Sequence, residues 1–334
     1  MSATISPVTL PSPAAWQGAL RLSDLAILQA SGPDTASFLH GQLSQDIEHL
    51  GPTEARLAAY CSAKGRMLAS AIVLRPQEEQ VWLLCDASVL AALHKRLSMF
   101  VLRARTQLSD ASASLCVLGL VGAEAMSRLS PSGAQASAAW GVQASQGGQV
   151  VTLPEVQGVP RALWIGPASL ADALLAGQPA LPAAAWSWLD VMSGVPRIQA
   201  ATADQFVPQM VNFEVLGGVN FQKGCYPGQE IVARSQYRGT IKRRAALVHS
   251  PAPLQAGQEL FADSDPGQPA GMVIQAAPVP AGDGTPASPG QAHSALVELK
   301  LGAWHTPVHA GAPDGPLLSW GAQPYALPSA DDAS

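Results

Sequence analysis

Charge is scarce in this chain: of 334 residues only 13% are charged, against 48% hydrophobic. A chain this apolar has too much to bury to be disordered over most of its length, and has enough for one large core or two to three smaller ones. Long apolar runs are also missing. The most hydrophobic stretch, 171–192, is broken by Gly177, Pro179, Pro182 and Asp190, so no membrane span is predicted, no membrane partner is expected and the protein is expected to be soluble. No Lys or Arg precedes Arg21, and no compact apolar block follows the first methionine. That argues against a secretory signal and for a cytoplasmic protein. The four cysteines, Cys61, Cys85, Cys116 and Cys225, include no CxxC pair, which argues against a disulfide framework, a zinc finger or a complete iron–sulfur site within one chain. With 24 acidic and 19 basic residues the net charge is −5; overall electrostatics do not favour nucleic acid, and only a local basic patch could.

What the chain does have in quantity is turn formers. Its 28 prolines and 30 glycines follow no period and predict many short elements. Residues 31–47, SGPDTASFLHGQLSQDI, carry helix-start chemistry at Pro33 and Asp34, then Phe38, Leu39 and Leu43 on one face. From Ala55 to Cys85 the runs LAAYCS, RMLASAIVLR and VWLLC, separated by turns at Lys64–Gly65 and PQEEQ, predict a three-strand meander. SVLAALHKRLSMFVLR follows with helical spacing of Val89, Leu90, Leu93, Leu97 and Phe100, so 55–108 reads as a compact α+β unit. LCVLGLVG from Leu115 opens a second strand-rich unit, and 130–148 reads as a loose connection. Beyond Arg244, the segments ALVHS, GMVIQ, ALVELK and PLLSW predict a small all-β domain, with 276–292 as a flexible hairpin insertion.

The segment richest in chemistry is Gly217–Arg244, GGVNFQKGCYPGQEIVARSQYRGTIKRR. Gly224 and Gly228 bracket Cys225, Tyr226 and Pro227, the pattern of a tight turn presenting a thiol. Lys223 and a helix beginning near Gln229 and Glu230 would stabilise the thiolate, as nucleophilic, redox or metal-ligating roles require. The bland alternative is one more buried cysteine, the reading that suits Cys61, Cys85 and Cys116. Six of the nineteen basic residues (Lys223, Arg234, Arg238, Lys242, Arg243, Arg244) fall within 22 positions, where an even spread would place about one. Such a strip suits a polyanion or RNA, or equally a solvated strand edge. Upstream, AAWSWLDVMSGVPRI gathers Trp186, Trp188, Asp190 and Arg197. Indole faces stack on flat heterocycles and a carboxylate accepts from ring amino groups, although core packing is the ordinary fate of a tryptophan.

LGGVNFQKGCYPGQEIVAR followed by YRGTIKRR resembles the KGCYxGQE signature of the YgfZ family. The resemblance extends to FLHGQLSQDI, YCSAKGRMLAS, GVPRI and FVPQMVNFEVLGG, and so covers about Leu22 to Arg244. It implies an α+β, three-domain fold like that of the folate-dependent glycine-cleavage T-protein: a discontinuous first domain (1–54 and 109–244), a ferredoxin-like second (55–108) and a carboxy-terminal β-barrel (245–330) around a central folate pocket. Carried over by position, Cys225 is the motif cysteine, with Lys223, Gly224, Tyr226, Gly228, Gln229 and Glu230 around it, and Trp186 is the tryptophan on the pterin side.

The resemblance further implies bound tetrahydrofolate or a derivative, support of iron–sulfur cluster assembly or repair without a resident cluster, and through iron–sulfur enzymes an effect on tRNA thiolation. The expected partners are the assembly machinery or its client enzymes, with Cys225 either ligating iron together with a partner's ligands or attacking a sulfur or one-carbon species. Arg234 and Arg238 are expected to hold the polyglutamate tail of folate. Three departures matter. Ala69 and Ser70 stand where aminomethyltransferases carry an acidic pair, which counts against an aminomethyltransferase or demethylating enzyme, the main alternative. Met192 replaces a pterin-binding glutamate, for which Asp190 is expected to substitute only off a helix. Leu25 stands where the pocket wall would favour an aromatic, leaving stacking to Trp186. A tRNA-binding module over 234–244 is the third reading, and the net charge counts against it.

Overall fold

The computed structural model describes residues 8–129, 138–237, 241–287 and 290–328. The chain opens with β1 (Gly18–Arg21) and β2 (Leu25–Ser31), then α1 (Thr35–His40), whose Leu39 is buried with Leu43 one turn on. The predicted meander follows as β3 (Ala55–Cys61), β4 (Met67–Gln77) and β5 (Gln80–Asp86). In α2 (Ala87–Ser98) the Asp86 carboxylate accepts from the Ser88 N–H as a cap, and Val89, Leu90, Leu93 and Leu97 are buried at helical spacing. The helix ends at Ser98, short of the predicted run to Arg103. Met99, Phe100 and Leu102 beyond it are exposed, with no core to hold them helical.

A short β6 (Gln107–Asp110) completes an antiparallel sheet in the order β3-β4-β5-β2-β6. This sheet reaches outside 55–108, because β2 pairs with β5 along its whole length, from Leu25 opposite Asp86 to Ser31 opposite Gln80. The sequence LAILQAS is buried at nearly every second and third position alike, so it lacks the alternation that announces a strand.

A second sheet is built from β1, β7 (Leu115–Val121), β8 (Val142–Ser145), β9 (Gly148–Val156) and β10 (Val159–Pro167), in the order β1-β7-β10-β9-β8. Two helices, α3 (Ala123–Leu129) and α4 (Ala168–Ala176), cover one of its faces through Leu129, Ala171, Leu118 and Trp164. Strand β8 lies inside 130–148: where that segment is described it is no loose connection, since Val142 is buried and registers with Val151. The other face joins the largest core, shared with α5 (Ala183–Met192) and the inner face of the carboxy-terminal sheet.

After α6 (Gln229–Tyr237) come β11 (Arg243–Ser250), β12 (Glu259–Ala262), β13 (Gly271–Pro278), β14 (His293–Lys300), β15 (Val308–Ala310) and β16 (Ser319–Trp320). They form one curled antiparallel sheet, β15-β12-β13-β14-β11-β16. Its edges are stitched into a barrel by Leu318 N–H to the Val308 carbonyl at 2.9 Å and Ala310 N–H to Pro316 at 3.0 Å. The 276–292 connection between β13 and β14 is docked rather than free over its described part: Val279 is buried and the Trp16 indole N–H donates to the Gly282 carbonyl at 2.9 Å. Among the described residues no helix is long and apolar enough to cross a membrane.

Candidate functional site

Between the first two sheets and α5 lies a cavity of about 60 Å³ that opens to the surface. Its walls are mostly aliphatic, with Leu25 among them, as the sequence expects of that position. On a helix, residues four apart share a face, so Trp186 and Asp190 both reach the cavity while Met192, about 200° further round, points into the core. α5 is helical through Met192, so Asp190 lines the cavity from a helix and does not take the position of Met192. Of the Ala69–Ser70 pair, strand alternation turns only Ser70 to the cavity, and its hydroxyl is engaged, donating to the Pro196 carbonyl at 3.2 Å and accepting from Ile198 N–H at 2.9 Å.

Two guanidinium groups face this space. Arg197 meets Asp24 at 2.7 Å, Asp86 at 3.4 Å and Asp190 at 3.8 Å. Burial works to lower its pKa, and the three carboxylates more than offset that, leaving it raised. Arg161, on β10, is 1% exposed; its Nε and Nη1 have no hydrogen-bond partner, and the nearest carboxylate, Asp190, is 3.9 Å from Nη1. Burial pulls its pKa down to about 10. Its guanidinium carbon stands 5.4 Å from the centroid of the Trp186 ring, a cation–π contact. Trp186 also packs on Gly119, where a Cβ would come within 2.7 Å of the indole, and is 3% exposed. Little of that ring is left for a ligand to stack on. Trp188 takes the core role outright, its indole donating to Ser294. The aromatic with accessible surface at the cavity is instead Trp140.

The motif turn lies elsewhere, against α1. Asn220 Oδ1 accepts from the N–H groups of Gln222 and Lys223, and Ser44 and Gln45 donate to the Gly218 and Gly217 carbonyls, strapping 217–223 to the loop after α1. The Lys223 ammonium turns inward, donating to the carbonyls of His40 and Leu43 (2.8 Å to the latter), and lies 4.9 Å from the Tyr226 ring centroid. Burial brings its pKa down to about 8, with Asp46, Cys225 and Glu48 offsetting part of the effect. The ammonium expected to serve the thiolate is thus chiefly a strap. Cys225 and Gly224 are exposed, Tyr226 is buried with an unpartnered hydroxyl, and α6 begins at Gln229 as predicted. His40 adds an imidazole that the sequence reading overlooked: its Nδ1 lies 3.0 Å from Asp46, and its Nε2 is 3.8 Å from where a Gly224 Cβ would stand. Gly228, at φ 80°, lies so close to Ser62 and Gly65 that no side chain fits, which docks α6 on the β3–β4 turn.

The structure does not bring the motif and the cavity together. None of the described residues of 223–244 lines the cavity. Nor do the basic residues form a free strip: Arg243 pairs with Glu298, Arg244 with Glu214, and Arg234 with Glu230 one turn away at 2.8 Å. The acids that meet Arg243 and Arg244 lie 55 and 30 residues away along the chain, where the spacing of the cations gives no sign of them. Arg238 lies outside the described residues. Among the described residues no three His, Cys, Asp or Glu side chains gather as a metal site.

No protein-family model matches the chain. It is 36% identical over 233 residues to the tRNA-modifying protein YgfZ of Edwardsiella ictaluri (strain 93-146), covering 67% of this chain and 68% of that one. The chain belongs to the YgfZ family. The YgfZ of Sodalis glossinidius (strain morsitans), also named a tRNA-modifying protein, is 33% identical over 250 residues, or 72% of this chain and 74% of its own. In structure this YgfZ-family chain superposes on the glycine cleavage system aminomethyltransferase T of Bartonella henselae with a TM-score of 0.70, over 93% of this chain and 86% of that one, at 18% identity. That likeness establishes the fold, with its α+β make-up and carboxy-terminal barrel. The two cavity residues missed from sequence left faint signals: Arg161 is a lone charge inside the apolar strand VPRALWIG, and Trp140 stands alone in a run of small residues.

Proposed function

We propose that this chain binds a reduced folate, tetrahydrofolate or a derivative, in the central cavity and works in the cytoplasm as an accessory factor for iron–sulfur cluster assembly or repair, and thereby for tRNA modification. The observation that carries the reading is the combination of a cavity walled by apolar side chains, with tryptophan and unpartnered guanidinium donors, and an exposed cysteine on a separate turn strapped by hydrogen bonds. A flat, acceptor-bearing heterocycle fits the first; a protein partner fits the second. The relatives named as tRNA-modifying proteins support the pathway, and the T-protein fold supports the ligand class.

The residues present fit the group. Trp140, Arg161, Asp190 and Arg197 would hold the ring system, and bound folate would supply one-carbon or redox chemistry. Cys225 faces outward, where it can ligate iron together with an assembly protein or client enzyme; a lone thiol needs such a partner. The hydroxyl of Ser70 is engaged with backbone and leaves no carboxylate at that wall to move a proton in methylene transfer.

The test has two arms. Titration calorimetry with 5-formyltetrahydrofolate, an air-stable reduced folate, should show binding by wild type and by Cys225→Ser alike. In cells lacking the endogenous protein, wild type should restore thiolated tRNA and Cys225→Ser should not. Absence of folate binding would remove the ligand half of the reading, and full restoration by Cys225→Ser would remove the thiol half. Direct tRNA binding with a steep salt dependence would revive the RNA-binding alternative.

A further inference from the structure

We infer that Trp140 and Arg161 set the ligand class of the cavity: a flat heterocycle lies against the Trp140 indole and presents a ring carbonyl to Nε and Nη1 of Arg161. The inference rests on the folate reading above and goes beyond it by naming which edge of the ring is recognised and by which residues.

Three observations carry it. Arg161 is buried with two nitrogens that meet no acceptor, and its nearest carboxylate, at 3.9 Å, is beyond hydrogen-bond reach. A guanidinium only donates, so a donor edge of a ligand at this wall would add a second unsatisfied group, while a carbonyl or ring nitrogen would satisfy the first. The balance of charge agrees: among the described residues the charged ones lining the cavity are Arg161, Arg197 and Asp190, and Asp190 is shared between the two arginines. The second observation is the burial of Trp186 under Arg161, which moves stacking to another aromatic.

The third is the backbone of Trp140. It sits at φ 69°, in the left-handed region, where a bulky side chain is an outlier. Two backbone bonds hold it there, Ala55 N–H to the Trp140 carbonyl and Trp140 N–H to the Thr152 carbonyl, both 2.7 Å. Glycine or asparagine would meet that turn without strain. Backbone strain of this kind clusters at ligand sites, and this tryptophan lines the cavity and links the β3 end of the first sheet to β9 of the second, the two walls between which a ring would slide.

The test compares folic acid with aminopterin, in which the 4-oxo group is replaced by an amino group and the rest of the molecule is kept. Wild type should bind folic acid about 10- to 100-fold more tightly, the worth of a hydrogen bond to a charged group. In Arg161→Gln that ratio should fall to near one, and 5-formyltetrahydrofolate, which keeps the 4-oxo group, should weaken by a similar factor. Trp140→Leu should weaken all three while leaving the ratio intact. Equal binding of folic acid and aminopterin by wild type would overturn the inference and leave the folate reading standing. So would Arg161→Gln weakening both equally, which would place the glutamate carboxylates at Arg161 instead. Failure of all three compounds to bind wild type would sink the folate reading itself. If Arg161→Gln does not fold, the wild-type ratio decides alone.

Discussion

The four cysteines show how much of a side chain's chemistry is decided by where the fold puts it. Burial pushes the thiols of Cys61 and Cys85 up to about 12, and that of Cys116 upward as well, whereas Cys225 alone is exposed. Since the thiolate is the reactive form, native protein treated with iodoacetamide should take up one equivalent, at Cys225 by peptide mass spectrometry. Labelling of Cys61 or Cys85 before unfolding would contradict the packing described for β3 and β5. Lys223 makes the complementary case. Replacing it by Met leaves the His40 and Leu43 carbonyls without their shared donor, a loss of about 1–3 kcal/mol. The sign of its pH dependence follows from its pKa of about 8 in the folded protein, against an ordinary 10.5. Between those values the unfolded chain holds a proton that the folded one has released, so this residue makes stability rise with pH across that window. Urea midpoints of wild type should therefore gain on those of Lys223→Met from pH 7.5 to 10; a flat difference would mean that the ammonium is not desolvated.

At the scale of elements, β4 is the link between the two halves of the candidate site. Its leading turn, at Gly65, receives Gly228 and Ile231 of the motif helix, and Ser70, Ala71 and Ile72 further along line the cavity. At about 3.3 Å per residue, Met67 at the start of β4 and Ile72 at the cavity are roughly 16 Å apart along the strand. Gly228→Ala would drive a methyl group into the Ser62 carbonyl, with Gly65 Cα at 2.6 Å, on a backbone already at φ 80°. Backbone does not move aside cheaply, so this substitution should lower the melting temperature by several degrees and free α6 from the turn, read as faster amide exchange in 229–237 with the 55–86 meander still protected. Unchanged exchange in α6 would show that the contact is not what holds it. The same scale separates what sequence discloses from what it hides. The meander, α2 and the turn–helix of 224–237 were legible because their signals are local: alternation, helical spacing, glycines at a turn. Strand β2 was hidden because burial on both faces erases alternation, and the pairing of Arg243 and Arg244 was hidden because it depends on acids 55 and 30 residues away.

At the scale of the whole molecule, the barrel is tied to the rest by a buried polar cluster rather than by apolar surface alone. Asn212, left-handed at φ 59°, turns its side-chain amide to β11, where Nδ2 donates to the Ala245 carbonyl at 2.9 Å and Oδ1 accepts from the Ala245 N–H at 3.3 Å. The Tyr325 hydroxyl donates to the Gly194 carbonyl, next to the cavity loop. Beside them Arg244 pairs with Glu214, both nearly closed to solvent, and Arg244 also donates to the Gln209 carbonyl. The segment that carries Glu214 runs on to the straps of the motif turn, so barrel, cavity loop and cysteine turn share one set of contacts. Arg244→Met would strand a buried carboxylate and cost about 3–5 kcal/mol, whereas the double change Arg244→Met with Glu214→Leu, which removes both charges, should recover much of it. Burial already raises the Glu214 pKa with Arg244 opposing that shift; without Arg244 it rises further. A carboxyl with a raised folded pKa contributes stability that is complete below its unfolded pKa and is lost as pH rises through the folded one. The Arg244→Met deficit should therefore shrink as pH falls from 7 toward 4.5, while the double variant shows no such trend. The deficit should also appear as an earlier single transition, with the tryptophans of the cavity and of the barrel reporting the same urea midpoint. A separate early melt of the barrel would mean that the cluster does not couple the two parts, and that the barrel is an appendage rather than the element that holds the cysteine turn in register with the cavity.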